Sequence, residues 1–203
     1  MELTTTYFET TGRANTDEVL RITQKRAQEL GVKTVLVAST SGDTAVKAVE
    51  ALNGVRIIAV GLSAGWQSPA NHAPPRKFTE ENRLKIESSG GVVLRATHFL
   101  GGLDRAIKAK SPGMSLSSDI VASTLRLFGS GMKVVCEIVI MAADAGSVGT
   151  DEDVIAIAGT GRGADTAVVF RPVNSGNFFN LRIKEILCKP YNPVPTLRPT
   201  TFG

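Results

Sequence analysis

Two apolar runs, 34–38 and 55–60, frame the clearest pattern in the chain. Both are short, continuous and rich in β-branched residues, as expected of parallel strands covered on both faces. Between them lie a polar turn, Ser39 to Thr44, and a helical repeat through Ala45, Val49 and Leu52. Strand, turn, helix and strand in about thirty residues is the size of one right-handed βαβ unit. On the N-terminal side, Met1 to Thr11 reads as an extended lead-in whose Tyr7 and Phe8 cover one edge of the core. Asn15 or Thr16 then caps a helix with Asp17 and Glu18 in its first turn and Val19, Ile22, Ala27 and Leu30 on its buried side, closed by Gly31.

After the central unit, Leu62 to Phe78 is a long irregular stretch, of the kind that often forms binding loops. Thr79 opens a helix with Glu80 and Glu81 in its first turn, ending at Gly90-Gly91, and 92–95 is a third strand. Leu100 to Lys110 reads as a short helix or turn, and Ser111-Pro112-Gly113 is a break. Ser117 or Ser118 then caps a helix with Ile120, Val121, Leu125, Leu127 and Phe128 as its apolar face. Met132 to Ala145 is nearly all apolar, so periodicity does not choose between strand and helix; its length and the Gly146 stop favour a buried helix. Glu137 and Asp144 share a face of that helix but stand about 10 Å apart along its axis, too far to share a proton. Glu137 is expected to be paired within the core, because a buried lone carboxylate is costly. A fourth strand, 154–158, another at 167–170, a half-buried edge strand from Leu181 to Cys188 and a Pro-rich tail from 189 complete the chain. The pattern predicts one α/β domain over 1–203: three layers, a mostly parallel twisted sheet with helices on both faces and antiparallel edge strands.

In such a sheet ligands bind beyond the carboxyl ends of the strands, where the turn Ser39-Thr40-Ser41-Gly42-Asp43-Thr44 lies. A helix starting near Gly42 offers unpaired N–H groups and a positive dipole end, and the hydroxyls and glycine let a phosphate approach the backbone. A single hydroxyl there would serve only as a cap; four around one glycine exceed what a cap requires. The pattern is not a Walker loop, since no Gly-Lys-Ser/Thr follows. Gly159-Thr160-Gly161-Arg162-Gly163-Ala164-Asp165 follows the fourth strand and leads into another strand, not into the helix that a dinucleotide fingerprint requires. It reads as a glycine-rich connection beside the first turn, with Arg162 or backbone N–H groups facing an anion. Ser63, Gly65 and Trp66 begin at the same end; Trp66 either stacks on a planar ligand or anchors its own loop. His98 stands where the third strand ends, and with Asp165 it is a candidate acid or base, although a lone histidine is more often structural. Arg13, in the turn before the first helix, either reaches a phosphate or, as is more common for such a polar turn, belongs to a solvated loop with a cap.

The segment 35–60, with its T-S-G-x-T-A centre and R-I-I-A-V end, resembles the regulatory C-terminal domain of pyruvate kinase. Nearly the whole chain resembles the small stand-alone pyruvate kinase alpha/beta-domain-like proteins. The residues that carry this are Tyr7-Phe8-Glu9, Gly12 with Asn15-Thr16, VASTSGDTA, CEIVIMAADAG from Cys136, GTGRGADTA from Gly159 and LRIKEI from Leu181. The resemblance implies a pyruvate kinase C-terminal domain-like fold, a loop that in the larger enzyme holds the phosphate of a sugar-phosphate effector, and assembly at subunit interfaces. It implies no reaction.

Composition narrows the reading. A chain of 203 residues, 42% hydrophobic, suits one domain with a real core. It has no room for the pyruvate kinase barrel, which needs roughly 250 residues. A formal charge of +4 is spread among nearly as many acids as bases, with few aromatics, which argues against nucleic acid. No run reaches the roughly 18 apolar residues of a membrane span, and no signal segment opens the chain, so a cytoplasmic protein is expected. Cys136 and Cys188 read as reduced thiols, and no metal-ligand spacing occurs. The expected function is binding of a phosphorylated small molecule: a sugar phosphate, a nucleotide, or FMN, whose phosphate and planar ring match the turn and Trp66. An enzyme acting on a phosphorylated metabolite, and a regulatory subunit with a relic effector site, are the alternatives. The exposed edge strand and the tail point to a homo-oligomer.

Overall fold

A computed structural model describes residues 1–65, 77–111, 113–114 and 116–193. Its strands are β1 (Thr6–Phe8), β2 (Thr34–Ala38), β3 (Arg56–Gly61), β4 (Val92–Arg95), β5 (Val154–Ala158), β6 (Thr166–Arg171) and β7 (Arg182–Pro190). The helices are α1 (Thr16–Leu30), α2 (Asp43–Ala51), α3 (Glu80–Ser88), α4 (Gly102–Lys110), α5 (Ser117–Arg126) and α6 (Ser130–Asp144). The strands form one sheet in the order β1-β7-β6-β5-β2-β3-β4. β5, β2, β3 and β4 are parallel neighbours; β6 pairs antiparallel with β5 and with β7, and β1 lies parallel on β7.

Alternation along the central strands divides the core. Val35, Val37, Ile155 and Ile157 face a layer that includes Val19, Leu20, Ala45, Ala48 and Ile86 of α1, α2 and α3. Leu36, Ile58, Ala156 and Phe170 face the other way, toward Met132, Val135 and Val139 of α6, with Leu125 of α5 packed against them. Both faces of the parallel strands are thus covered, which is why their sequences run continuously apolar. α6 is buried on nearly every side, as a helix apolar all round must be.

The expected edge strand holds over most of its length, since the three-residue β1 pairs only with Cys188, Lys189 and Pro190 and leaves 182–187 at the edge of the sheet. Two expectations change. β7 does not alternate cleanly: register irregularities in its pairing with β6 bring Leu187 and Cys188 into the core as consecutive residues. On α5 the apolar face is only partly used, since Ile120 and Leu127 are 64% and 75% exposed, and the helix starts from Leu116, whose N–H donates to Asp119. Cys136 and Cys188 are free and buried, and burial pushes each thiol up to about 12. No described helix is long and apolar enough to cross a membrane.

Candidate functional site at the carboxyl end of the sheet

The pairing of Val37 with Ala59 and with Ile157, and of Gly61 with Arg95, aligns the ends of β2, β3, β4 and β5. The connections 39–42, 62–65, 96–101 and 159–165 therefore leave the sheet at one end. Ala158 pairs with Thr166, so β6 starts at that end as well. Five of the described helices begin there: α2 directly after the first turn, α3 with Thr79 and Asn82 against Ser41, α4 directly after the connection from β4, α1 with Thr16 against Ala164, and α6 with Gly131 against Thr166 and Asp165.

The turn after β2 is held from below and from one side. Ser39 is buried; its N–H donates to the Val60 carbonyl at 3.0 Å and its Oγ accepts from Ala45 N–H at 3.4 Å. Ser41 Oγ accepts from Asp43 N–H at the same long distance of 3.4 Å, a weak cap, while Thr40 is exposed and Thr44 half-buried. Thr44 N–H has no acceptor among the described residues. Gly42 takes φ 96°, and a Cβ on it would stand 2.6 Å from Asn82 Cβ and 3.1 Å from a Phe78 ring carbon. The sequence offered this glycine as room for an anion, but its bare side is filled by α3. Asn82 completes the lock by donating to the Ser41 carbonyl and the Asp43 carboxylate at 3.0 and 2.9 Å. Ser63 and Gly65 follow β3 at the same end, whereas Trp66 lies outside the described residues.

The connection from β5 to β6 is organised by Asp165. Fully buried, its carboxylate accepts N–H bonds from Gly12 at 2.8 Å and Thr160 at 2.9 Å and the Thr166 hydroxyl at 2.7 Å. With these donors in place and no exposure, Asp165 is an anchor for two loops and not an accessible acid or base. Gly159 is needed for packing, because a Cβ there would meet the Gly163 carbonyl at 2.6 Å, whereas Gly161, at φ 81°, faces open space. Arg162 is exposed.

His98 sits three residues beyond β4 with its side chain 19% exposed. Its Nδ1 lies 3.6 Å from Glu137 Oε2 of α6 and 3.5 Å from an Arg105 guanidinium nitrogen of α4. Glu137 is itself saturated: Oε1 accepts Leu100 N–H at 3.0 Å, and Oε2 takes the ammonium of Lys133, one turn earlier on α6. The expected pairing of Glu137 in the core is thus real, and its partner is a buried lysine. Burial lowers the Lys133 ammonium from its ordinary range despite Glu137. Burial likewise lowers His98, against the pull of Glu137 and with the help of Arg105 and Lys133. Sequence reasoning missed Lys133 and Arg105; a Lys and a Glu at i and i+4 in an otherwise apolar helix was the available signal.

Charge at this end is uneven. Asp165 and Glu137 are saturated, Asp43 is tied to Asn82, and Asp17 pairs with Lys47. Arg13, Arg95 and Arg162 have no carboxylate within ion-pair distance among the described residues. No group of described His, Cys, Asp or Glu has metal-binding geometry. A groove of about 740 Å³ lies elsewhere, between α1 and α2, lined by Leu20, Arg21, Gln24, Lys47 and Glu50 among others. Against the sequence models of known families, residues 17–170 match that of the pyruvate kinase alpha/beta domain, which leaves β1, the Gly12 turn and β7 outside the match.

Proposed function

The chain belongs to the pyruvate kinase alpha/beta domain family, and from that premise and its site geometry we propose that it is a small-molecule binding protein whose ligand carries a phosphate. One observation carries the reading: five of the described helices begin at the carboxyl end of the sheet, where Arg13, Arg95 and Arg162 stand without carboxylate partners among the described residues. Helix N-termini offer unpaired N–H groups and a positive dipole end, and cations without counter-charges raise the local concentration of anions. Ser39, Thr40, Ser41 and Thr44 add hydroxyl donors, and Thr44 N–H is open to an acceptor. A phosphate between the turn after β2 and the Gly159–Gly163 connection of the neighbouring β5 would leave the rest of the ligand above β3, toward Ser63 and Gly65. FMN, a nucleotide and a sugar phosphate all satisfy this requirement.

A second reading, an enzyme acting on a phosphorylated metabolite, is favoured by His98. A histidine kept neutral by burial, with a carboxylate beside Nδ1, is in the protonation state a base requires. Mass spectrometry and absorbance of the small molecules released from purified, denatured protein test the proposal. The expected result is a phosphorylated compound, yellow if it is FMN. Release of none, together with no rise in melting temperature on adding FMN, nucleotides or sugar phosphates, would overturn it. Turnover of the released compound, lost in His98→Gln, would select the second reading.

A further inference from the structure

The N-terminal turn, residues 10–16, lies outside the family match yet is built into the connection that follows β5. Two buried hydrogen bonds join them, Gly12 N–H to Asp165 at 2.8 Å and Ala164 N–H to Thr16 Oγ1 at 3.0 Å. Two glycines at positive φ let the backbones touch. A Cβ on Gly12 (φ 82°) would stand 3.0 Å from the Thr160 carbonyl and 3.3 Å from that of Arg162, and one on Gly163 (φ 70°) would stand 2.6 Å from Arg13 Cα. The contact sets Arg13 beside the residue that follows Arg162, with both arginines exposed and neither paired to a carboxylate among the described residues. Two exposed arginine side chains rooted on touching backbones can both reach one anion placed between them, which draws together groups that would otherwise repel.

We infer that Arg13 and Arg162 form a two-guanidinium clamp for the phosphate of a monoester, which makes the N-terminal turn a specificity-determining part of the site. The inference rests on the phosphate reading and narrows it. A phosphate monoester near neutral pH carries about −1.5 to −2 charges, and its three free oxygens suit two planar forks. A diester carries a single charge on two free oxygens and satisfies only one fork. The clamp therefore prefers terminal phosphates, such as those of mononucleotides and sugar phosphates, to phosphodiester links.

Titration of the full chain with methyl phosphate and with dimethyl phosphate, followed by NMR, tests this. Wild type is expected to bind the monoester at least about tenfold more tightly than the diester. Arg13→Gln should weaken methyl phosphate about ten- to a hundredfold, the loss of one charge-assisted contact, and erase most of the preference. Its melting temperature should not change, since the backbone bonds of the turn remain. Arg13→Lys should restore charge without the fork and recover only part of the affinity. Methyl phosphate binding that is weakened by Ser41→Ala but untouched by Arg13→Gln would overturn the clamp and leave the phosphate reading standing. No binding of methyl phosphate to wild type would overturn both.

Discussion

Burial decides the protonation of His98. Removing the imidazole from water disfavours its charged form, and the nearby Glu137 carboxylate, already neutralised by Lys133, offsets this only in part. Its folded pKa therefore lies below the ordinary value of about 6.5. Above pH 6.5 the ring is neutral in both folded and unfolded chains and pH has no leverage through it. Between 6.5 and the lowered folded value, the unfolded chain binds the proton and the folded one does not, so stability falls as pH falls through that window. The chain has two histidines, so their ring signals are separable by NMR. His98 is expected to titrate with a midpoint below 6.5, and His98→Gln to flatten the acid limb of stability against pH. A midpoint at or above 6.5 would show that Glu137 outweighs burial.

At the scale of elements, α6 concentrates the stakes. It packs on β5, β6 and β2, and it places a Lys–Glu pair inside the core. Breaking such a pair is costlier than removing it: Lys133→Met should destabilise by about 3–5 kcal/mol by leaving Glu137 charged and buried. Lys133→Met/Glu137→Gln keeps an acceptor for Leu100 N–H without the charge and should recover most of that loss in urea denaturation. Equal destabilisation of single and double variants would mean that the ammonium matters as packing and not as counter-charge. The elements most legible in the sequence were those whose signals are local. β2, β4 and β5 begin and end where their apolar runs do, α1 stops at Gly31, and α3 starts at Thr79, whose hydroxyl caps Asn82 N–H. Signals that depend on contacts between distant segments were not legible. A three-residue β1 carries no periodicity, the bulged register of β7 is set by β6, and the exposed stripe of α5 is as apolar as a buried one. The candidate site divides in the same way. The turn after β2 and the connection after β5 could be read from their glycines and hydroxyls. What fills the space beside Gly42, what saturates Asp165, and the docking of the Gly12 turn could not.

For the molecule as a whole, the sheet topology converts four strand ends into one surface. β5 beside β2 brings the Ser39–Thr44 turn and the Gly159–Asp165 connection onto neighbouring strands, about 5 Å apart at their roots. The rest of the fold covers both faces of the parallel strands and leaves this end to helix N-termini and to Arg13, Arg95 and Arg162. The groove between α1 and α2 is the rival location: it is large and carries cations, but Lys47 is paired with Asp17 and Arg21 with Glu18, and no strand end reaches it. A map of backbone amide shifts during titration with inorganic phosphate separates the two most directly. Saturable shifts are expected at the amides of Gly12–Arg13, Thr40–Ala45 and Thr160–Gly163, with the α1–α2 groove unmoved. Saturable shifts confined to Arg21, Gln24, Lys47 and their neighbours, or no saturable shift at the carboxyl end at all, would contradict a phosphate site there.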